Sequence, residues 1–488
     1  MREEAVHFYY PWVYGRGKVP ERHCSCFLFF LRTKEPALRE ALRYPASGVA
    51  LSGCTRLGPP LLGALVVACT PAGATVDHIV FLDLDDSHRA TVIATTEASD
   101  PACTLRWRIG AGVEREASLG VASSGVRSTI LMGAPGGVAV SARLSCADGE
   151  GAEASITTEA APSSVPTLIP SSSPDEAVSD LLLLTAGITL PHLGTVVLTD
   201  MEGQPVWWSE RVGAMISHPR FDAEAGVVFG IETPEGEAPA RFVCSPLAGP
   251  DQTWEVPGAT HDSVALGGGR YLLTVRERQT IEGDLIAGDS LVILDAANGE
   301  QTVVWSAFDQ LERVENAGWQ FRNSDGSADW THINGLGLDA GNHTLYASLY
   351  WEESIIEIDL ANWQTGWTLG GVRSDFEVPD GFGPQHSPQA FGGALWLFDN
   401  GKDSGAGSRI SRYEVDLSTG GADRSFSYQP ANRPQSPVLG SVDLRDDLIL
   451  SSWGTAGEVH LTDSAGQDLA SYTIDGMDVL GLTTLVDR

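Results

Sequence analysis

Histidines recur at one place in a repeating pattern. His218, His261, His332 and His386 each stand near the start of a segment that follows a strand and a turn built on Asp and Gly. His332 and His386 belong to the stretch richest in aromatic and turn residues. It opens with Asp329-Trp-Thr-His-Ile-Asn-Gly335, continues through Pro384-Gln-His-Ser-Pro388 and closes on Leu395-Trp-Leu-Phe-Asp-Asn-Gly401. A neutral imidazole is a good nucleophile near neutral pH and a carrier of protons. Several imidazoles around one cavity could attack an electrophile, protonate a leaving group and hold oxygens on which negative charge develops. One histidine at a strand start is commonly a satisfied structural residue, whereas three or four at equivalent positions of successive repeats point to a shared cavity.

The elements that must position them repeat from about residue 180. An apolar strand, a turn on Asp and Gly, and a second strand often carrying Trp occur at Val196-Val-Leu-Thr-Asp200 with Gly203 and Trp207. Further copies are Leu291-Val-Ile-Leu-Asp295 with Gly299 and Trp305, Ile355-Ile-Glu-Ile-Asp359 with Trp367, Tyr413-Glu-Val-Asp416 with Gly420, and Val459-His-Leu-Thr-Asp463 with Gly466. A weaker copy lies at Phe242-Val-Cys-Ser-Pro246 with Trp254. From Asp295 the intervals to Asp359, Asp416 and Asp463 are 64, 57 and 47 residues. A four-stranded blade takes roughly 40–50 residues, with insertions adding loops on one face. The six copies therefore predict a six-bladed β-propeller over residues 179–488, its innermost strands lining a central channel; a β-solenoid would have shorter, more uniform rungs. Ahead of it, residues 75–160 hold short alternating strands, such as Leu105-Arg-Trp-Arg-Ile109 and Val138-Ala-Val-Ser-Ala-Arg-Leu144, that read as a fibronectin type III-like β-sandwich. A Pro/Ser/Thr-dense linker over 161–178 joins the two. The expected fold class is all-β.

The chain has 488 residues and a formal charge of -33. That charge argues against a nucleic-acid partner, which needs a dense basic face. Arg56-Leu-Gly-Pro-Pro-Leu-Leu-Gly-Ala-Leu-Val-Val-Ala-Cys69 has a basic flank, a short apolar run and a small residue before a cysteine. It reads as a lipoprotein signal peptide over 51–69, with Cys69 lipidated, and its apolar run is too short for a permanent span. Residues 1–50 then read as an over-extended translation start, and the mature chain as an exported periplasmic or cell-surface lipoprotein that meets the membrane only through its lipid. An oxidising compartment permits a disulfide, for which Cys103 and Cys146 are the pair, while Cys244 reads as buried. Asn323-Ser-Asp325-Gly326 starts like a calcium loop but lacks the later glutamate, and Gly267-Gly-Gly269 is a hairpin turn with no helix behind it to cradle a phosphate. Neither a metal nor a cofactor is expected.

Thr260-His-Asp262, Asp329-Trp-Thr-His-Ile-Asn334, Trp367-Thr-Leu-Gly-Gly371, Pro384-Gln-His386, Phe398-Asp-Asn-Gly401 and Ser452-Trp-Gly454 follow one another in an order that resembles the bacterial arylsulfate sulfotransferases. The resemblance covers the whole repeat region. It implies an exported six-bladed propeller that moves a sulfuryl group from a phenolic sulfate ester to a phenol, without a nucleotide donor and through a sulfohistidine. It makes His386 the transiently sulfated residue, and His332 and His261 the residues that assist proton transfer and hold sulfate oxygens. The family's arginine in the strand after the second of these histidines is replaced here by Tyr350. A tyrosine donates one hydrogen bond but brings no fixed charge, and losing a preorganised charge stabiliser costs roughly 10²–10³ in rate. Arg276, or Arg278 beyond it, is the candidate replacement, so the expected substrate-binding residues are Tyr350, Asn334 and Arg276. The alternative is a propeller lipoprotein that has lost catalysis and binds a ligand or partner. No cysteine-proline-arginine sulfatase signature is present, which argues against a formylglycine hydrolase.

Overall fold

The computed structural model describes residues 104–487, apart from internal stretches of which 119–126, 187–193, 314–320, 402–406 and 475–482 are the longest, together with the strand backbones 79–83 and 92–96. Residues 1–50, the signal over 51–69 with Cys69, and Cys103 of the expected disulfide lie outside the described residues.

The protein is all-β. Among the described residues, helix is limited to the single turn Ala307–Gln310, the 3₁₀ turn Gly454–Ala456 and 3₁₀ backbone at Val178. The N-terminal strands form two antiparallel sheets. One orders Ile79–Asp83, Val92–Thr96 and Arg127–Leu131; the other orders Arg115–Ser118, Thr104–Ile109, Ala139–Cys146 and Gly149–Thr157. Alternation along Thr104–Ile109 puts Leu105 and Trp107 inside, packed on Val140, Ala142 and Leu144.

Six further sheets follow. Sheet two runs Ala214–Asp222, Val227–Pro234, Arg241–Pro246, Gln252–Glu255, and sheet three Ala259–Gly267, Arg270–Ile281, Asp284–Asp295, Gln301–Ser306. Sheet four runs Ile333–Asp339, Thr344–Leu349, Ser354–Asp359, Gln364–Gly370, and sheet five Gln385–Phe391, Ala394–Asp399, Arg409–Asp416, Gly421–Tyr428. Sheet six runs Ser441–Arg445, Leu448–Trp453, Glu458–Asp463, Asp468–Ile474. Sheet one is assembled from both ends of this region: its first strand is the C-terminal Thr484–Asp487, which pairs with Leu181–Ala186 ahead of Thr195–Thr199 and Pro205–Glu210. First strands touch in succession from sheet two through sheet six to Thr484–Asp487, and Leu181–Ala186 of sheet one meets Ala214–Asp222 of sheet two, which closes a propeller-like ring.

Every copy of the repeat found in the sequence occupies the third and fourth strands of its sheet. The shared Asp is explained by the turn between them. Asp295, Asp359, Asp416 and Asp463 each accept, on Oδ1, the backbone N–H two residues ahead, at 2.9, 2.8, 2.8 and 2.9 Å. The apolar residues fill the seams between adjacent sheets. Leu291 and Trp305 of sheet three meet Leu345 and Ile356 of sheet four, and Leu450 and Tyr472 of sheet six meet Leu183 and Leu485 of sheet one. Each sheet thus buries both faces, so no sheet holds its shape without its neighbours.

The stretch expected as a linker carries a strand. Leu168–Pro170 adds to the outer edge of sheet six by pairing with Asp468–Ile474, and Pro170 stands where an edge tolerates a missing donor. Leu168 also docks on sheet one, its N–H bonded to Gly203 O at 3.1 Å. A side chain at Gly203 would put Cβ 1.8 Å from Leu168 O. The ring is therefore fastened twice, by a C-terminal strand inside sheet one and an N-terminal strand outside sheet six.

Fastening of this kind makes the last strand a stability element. Val486 is 2% exposed in the seam with Leu182, Leu184 and Ile216. Val486→Asp buries an unpaired carboxylate and is expected to cost about 3–5 kcal/mol, read as a large drop in the thermal midpoint, with Val486→Ile nearly neutral. An unchanged midpoint for Val486→Asp would mean that Thr484–Asp487 does not close the ring.

Candidate active site

Four consecutive first strands share a backbone irregularity. Register breaks fall between Ser217 and Arg220, Ala259 and Ser263, Ile333 and Gly335, and His386 and Gln389. The left-handed region is occupied within or next to each break by His218 (φ 43°), His261 (φ 53°), His332 (φ 51°, just ahead of its strand) and Ser387 (φ 49°). A bulge re-aims a side chain that a regular strand would send into a seam. In the first three repeats the histidine itself takes the left-handed turn; in the fourth His386 precedes it. The neighbouring strand makes room: a Cβ on Gly337 would lie 2.0 Å from Pro388 O.

His386 is buried, and its Nδ1 lies 2.7 Å from Asn400 Oδ1. The amide orientation is fixed, because Asn400 Nδ2 donates to the carbonyls of Ser436 and Leu439, both at 2.6 Å. The oxygen must face the imidazole, so Nδ1 carries the proton and Nε2 holds the lone pair. Burial pushes the His386 pKa down to about 3, against the pull of the Asn400 bond and helped by His218 and His332. The ring is a neutral base over the whole physiological range.

His332 has a different partner. Its Nδ1 lies 2.5 Å from Oδ2 of buried Asp329, and Trp351 Nε1 donates to the same oxygen at 2.9 Å. Burial raises the Asp329 carboxyl, but the bonds from His332 and Trp351 and the charge of Arg276 outweigh it and hold the pKa below the usual carboxylate value. The His261 and His332 rings stand 4.5 Å apart. Thr260 Oγ1 lies 2.5 Å from His261 Nδ1. Burial, then His332, Arg276, His218 and His386, push the His261 pKa well down.

Tyr350 bridges the group, its ring 5.4 Å from His332 and 5.7 Å from His386. Burial and Glu353 raise its pKa, so the phenol keeps its proton. Arg276 donates to Asn323 Oδ1 at 3.2 Å and lies close enough to bear on His261 and Asp329 electrostatically. Arg278 instead pairs with Asp325 on the exposed loop that started like a calcium site. Asn334 is fully buried and donates to Gln385 O at 2.8 Å, which fixes the backbone before His386. The structure thus brings His261, His332, His386 and Tyr350 together, sets Arg276 beside them and puts Asn334 behind them. His218 joins the group with Nδ1 3.6 Å from Asp262 Oδ2. Asp262 also takes Arg220 Nη2 and Leu336 N, each at 2.8 Å, and Arg220 bonds Leu336 O at 2.8 Å. This buried brace ties the first strands of sheets two, three and four. Among the described residues no group of three or more His, Cys, Asp or Glu could hold a metal ion.

Comparison with known proteins adds a family. The family model described as Arylsulfotransferase (ASST) matches residues 175–475. The chain belongs to the arylsulfotransferase family. No curated protein sequence matches it. Among solved structures it is similar to the nidogen/laminin complex, at 12% identity over 62% of this chain and 98% of that one, with a TM-score of 0.42. It is also similar to the periplasmic gluconolactonase of Pseudomonas aeruginosa, at 13% identity over 63% and 99% with a TM-score of 0.40. The β-propeller domain of Cps50 (Swd1) from Myceliophteria thermophila matches at 11% identity over 62% and 88%, with a TM-score of 0.37.

In this member of the family, sequence reasoning missed three side chains that hold its histidines: Asn400, Asp329 and Trp351. Asn400 and Asp329 lay inside motifs already singled out, Asn400 at the end of a strand whose Asp399 pairs with Gln385. A polar residue at the end of a buried strand, one step from the partner of a histidine strand, was the available signal. Trp351 gave none, since recurring tryptophans also fill the seams.

Two outcomes follow from this geometry. At a left-handed position glycine is favoured over alanine, so His261→Gly is expected to be more stable than His261→Ala by about 1 kcal/mol; the usual strand order, alanine above glycine, would contradict the bulge. The second concerns acid. His386 has a folded pKa of about 3, below the ordinary value of roughly 6.5 for an unfolded histidine. The unfolded chain therefore binds the extra proton first, and stability present above pH 6.5 is lost as pH falls towards 3, by up to about 1.4 kcal/mol per pH unit from this one group. Urea midpoints between pH 7 and 4 should fall more steeply for wild type than for His386→Gln, and parallel slopes would show that His386 is not buried neutral.

Proposed function

We propose that the protein transfers a sulfuryl group from a phenolic sulfate ester to a phenolic acceptor through a sulfohistidine on His386. The observation that carries the reading is the Asn400–His386 bond: it directs the lone pair to Nε2 on a ring that stays unprotonated. In the first step Nε2 attacks sulfur, an N–S bond forms and the S–O bond to the aryl oxygen breaks. The leaving phenolate needs a proton, and the adjacent imidazoles are the groups in place to supply it. In the second step the acceptor phenol loses its proton, its oxygen attacks sulfur and the N–S bond breaks, restoring His386. Because donor and acceptor use the site in turn, one cavity serves both.

His261, Tyr350 and Arg276 are suited to the sulfuryl oxygens. Tyr350 offers a protonated hydroxyl between His332 and His386, and Arg276 offers a fixed charge that does not depend on proton transfer. Asn334 acts through the backbone of Gln385. In this reading the six sheets are six propeller blades, and the two N-terminal sheets, ordered three and four strands, form a fibronectin type III-like sandwich. The export and Cys69 anchor read from the sequence would place the site outside the cytoplasm.

Purified protein given 4-nitrophenyl sulfate without acceptor is expected to release a burst of nitrophenol and retain labelled sulfur on His386. His386→Ala should abolish both, and Tyr350→Arg should raise turnover about 10- to 100-fold by restoring a fixed charge. Unchanged release by His386→Ala would sink the mechanism. No release by wild type or by Tyr350→Arg would leave the ligand-binding alternative, which Tyr350 in the arginine slot favours.

A further inference from the structure

We propose that Asp329 is the positioning residue that fits His332 for the proton transfer that the family resemblance implies for it, an inference that rests on the transfer reading above. Its ground is an asymmetry between the two imidazoles that flank Tyr350. His386 gives its Nδ1–H to the neutral amide oxygen of Asn400 at 2.7 Å, and His332 gives its own to the carboxylate of Asp329 at 2.5 Å. An amide oxygen orients a ring without favouring positive charge on it. A carboxylate orients the ring and also stabilises the imidazolium. Two like side chains are thereby assigned unlike work: one stays a lone-pair donor, the other alternates between charged and neutral.

The carboxylate is built in. Asp329 is 2% exposed, its backbone N–H bonds Phe321 O at 3.2 Å, and its strand bridges in parallel to Asp284–Asp295. On the other side of His332, buried Asp289 takes Thr331 Oγ1 at 2.6 Å and the Ile333 N–H at 2.8 Å. These bonds lock the backbone on both sides of the left-handed histidine. The second proton on Asp329 Oδ2 comes from Trp351, whose ring also packs against Tyr350 and His332 at 5.0 and 6.1 Å. The charged or titratable groups around His332 are Asp329, Asp289, His261, His386, Arg276 and Tyr350.

The proton balance closes. His332 begins as the imidazolium, with Nδ1–H on Asp329 and Nε2–H towards the site. As the S–O bond breaks, Nε2–H passes to the leaving aryl oxygen, and a neutral phenol departs. The acceptor phenol then gives its proton back to Nε2 as its oxygen takes the sulfuryl group from His386. Asp329 keeps its charge throughout and acts as a positioning residue.

The test has two arms. The first compares phenyl sulfate with 4-nitrophenyl sulfate, whose leaving phenol is more acidic and needs less protonation. Asp329→Asn is expected to lower kcat about 10²-fold for phenyl sulfate and only a few-fold for 4-nitrophenyl sulfate, with Trp351→Phe having a small effect on both. Equal losses on the two esters would mean that Asp329 only holds the fold, and would overturn the inference. The second arm needs no turnover. In protein labelled with ¹⁵N-histidine, with His332 assigned through His332→Gln, the neutral ring should carry its proton on Nδ1 in wild type and become a tautomer mixture in Asp329→Ala. A proton on Nε2 in the neutral wild-type ring overturns the inference whatever the activity. A wild type inert towards both esters counts against the transfer reading, and the nitrogen shifts still decide the role of Asp329.

Discussion

A residue in left-handed backbone, set into the first strand of each of several neighbouring sheets, is the constraint on which the site depends. In a regular strand, alternate side chains point into the seams on either side, and none is aimed at the axis of the ring. The turn at His218, His261 and His332 breaks that alternation once per sheet. Each such turn costs of order 1–3 kcal/mol for a non-glycine residue, and it persists because the seams around it are filled. Trp330 and Ile333 lie in the seam beneath His332, and Val442 and Phe398 in the seam beside His386. Packing of the sheets thus holds the strained turns that aim the histidines.

Polar groups within the ring finish what the turns begin. Arg220, Asp262 and the backbone of Leu336 tie three first strands together, with Asp262 held far below its usual pKa because Arg220 and His218 outweigh the effect of burial. Breaking such a buried pair by removing one partner costs about 3–5 kcal/mol, so the brace resists slippage of one strand past the next. Asp443 makes a similar tie to the closing strand, accepting from Thr484 Oγ1 and Leu485 N. The fold closure and the site share these strands. A chain that failed to close would also lose the alignment of its imidazoles.

The histidines themselves are chemically equivalent until their partners differ. Asn400 and Asp329 supply the difference, one an amide whose orientation is set by two carbonyls, the other a carboxylate shared with an indole. Tyr350 stands between them where a fixed charge is expected, and its raised pKa keeps the phenol protonated and uncharged. The fixed positive charge that bears on His261 and Asp329 is Arg276, carried on the long second strand of sheet three rather than on sheet four.

Much of this was legible in the sequence, for physical reasons. The alternation of apolar residues, the Asp–Gly turn and the recurring tryptophan are local, and each repeat carries its own copy, so the sheets and their order along the chain could be read from residues 180 onward. The histidines were legible as well, because their spacing followed the repeat. What only the tertiary structure decided was anything that depends on two distant segments meeting. Leu168–Pro170 reads as linker because three residues among Pro, Ser and Thr carry no period, yet the edge of sheet six turns them into a strand. Thr484–Asp487 belongs to sheet one, although some 300 residues separate it from Leu181–Ala186, its partner. Asn334 reads as a ligand contact, yet its Nδ2 donates to Gln385 across the seam, whereas Asn400 and Asp329, present in the sequence only as members of longer motifs, hold Nδ1 of the two central imidazoles. A side chain's charge and size are written in the sequence; the partner that decides what that charge does is chosen by the packing of strands far apart in the chain.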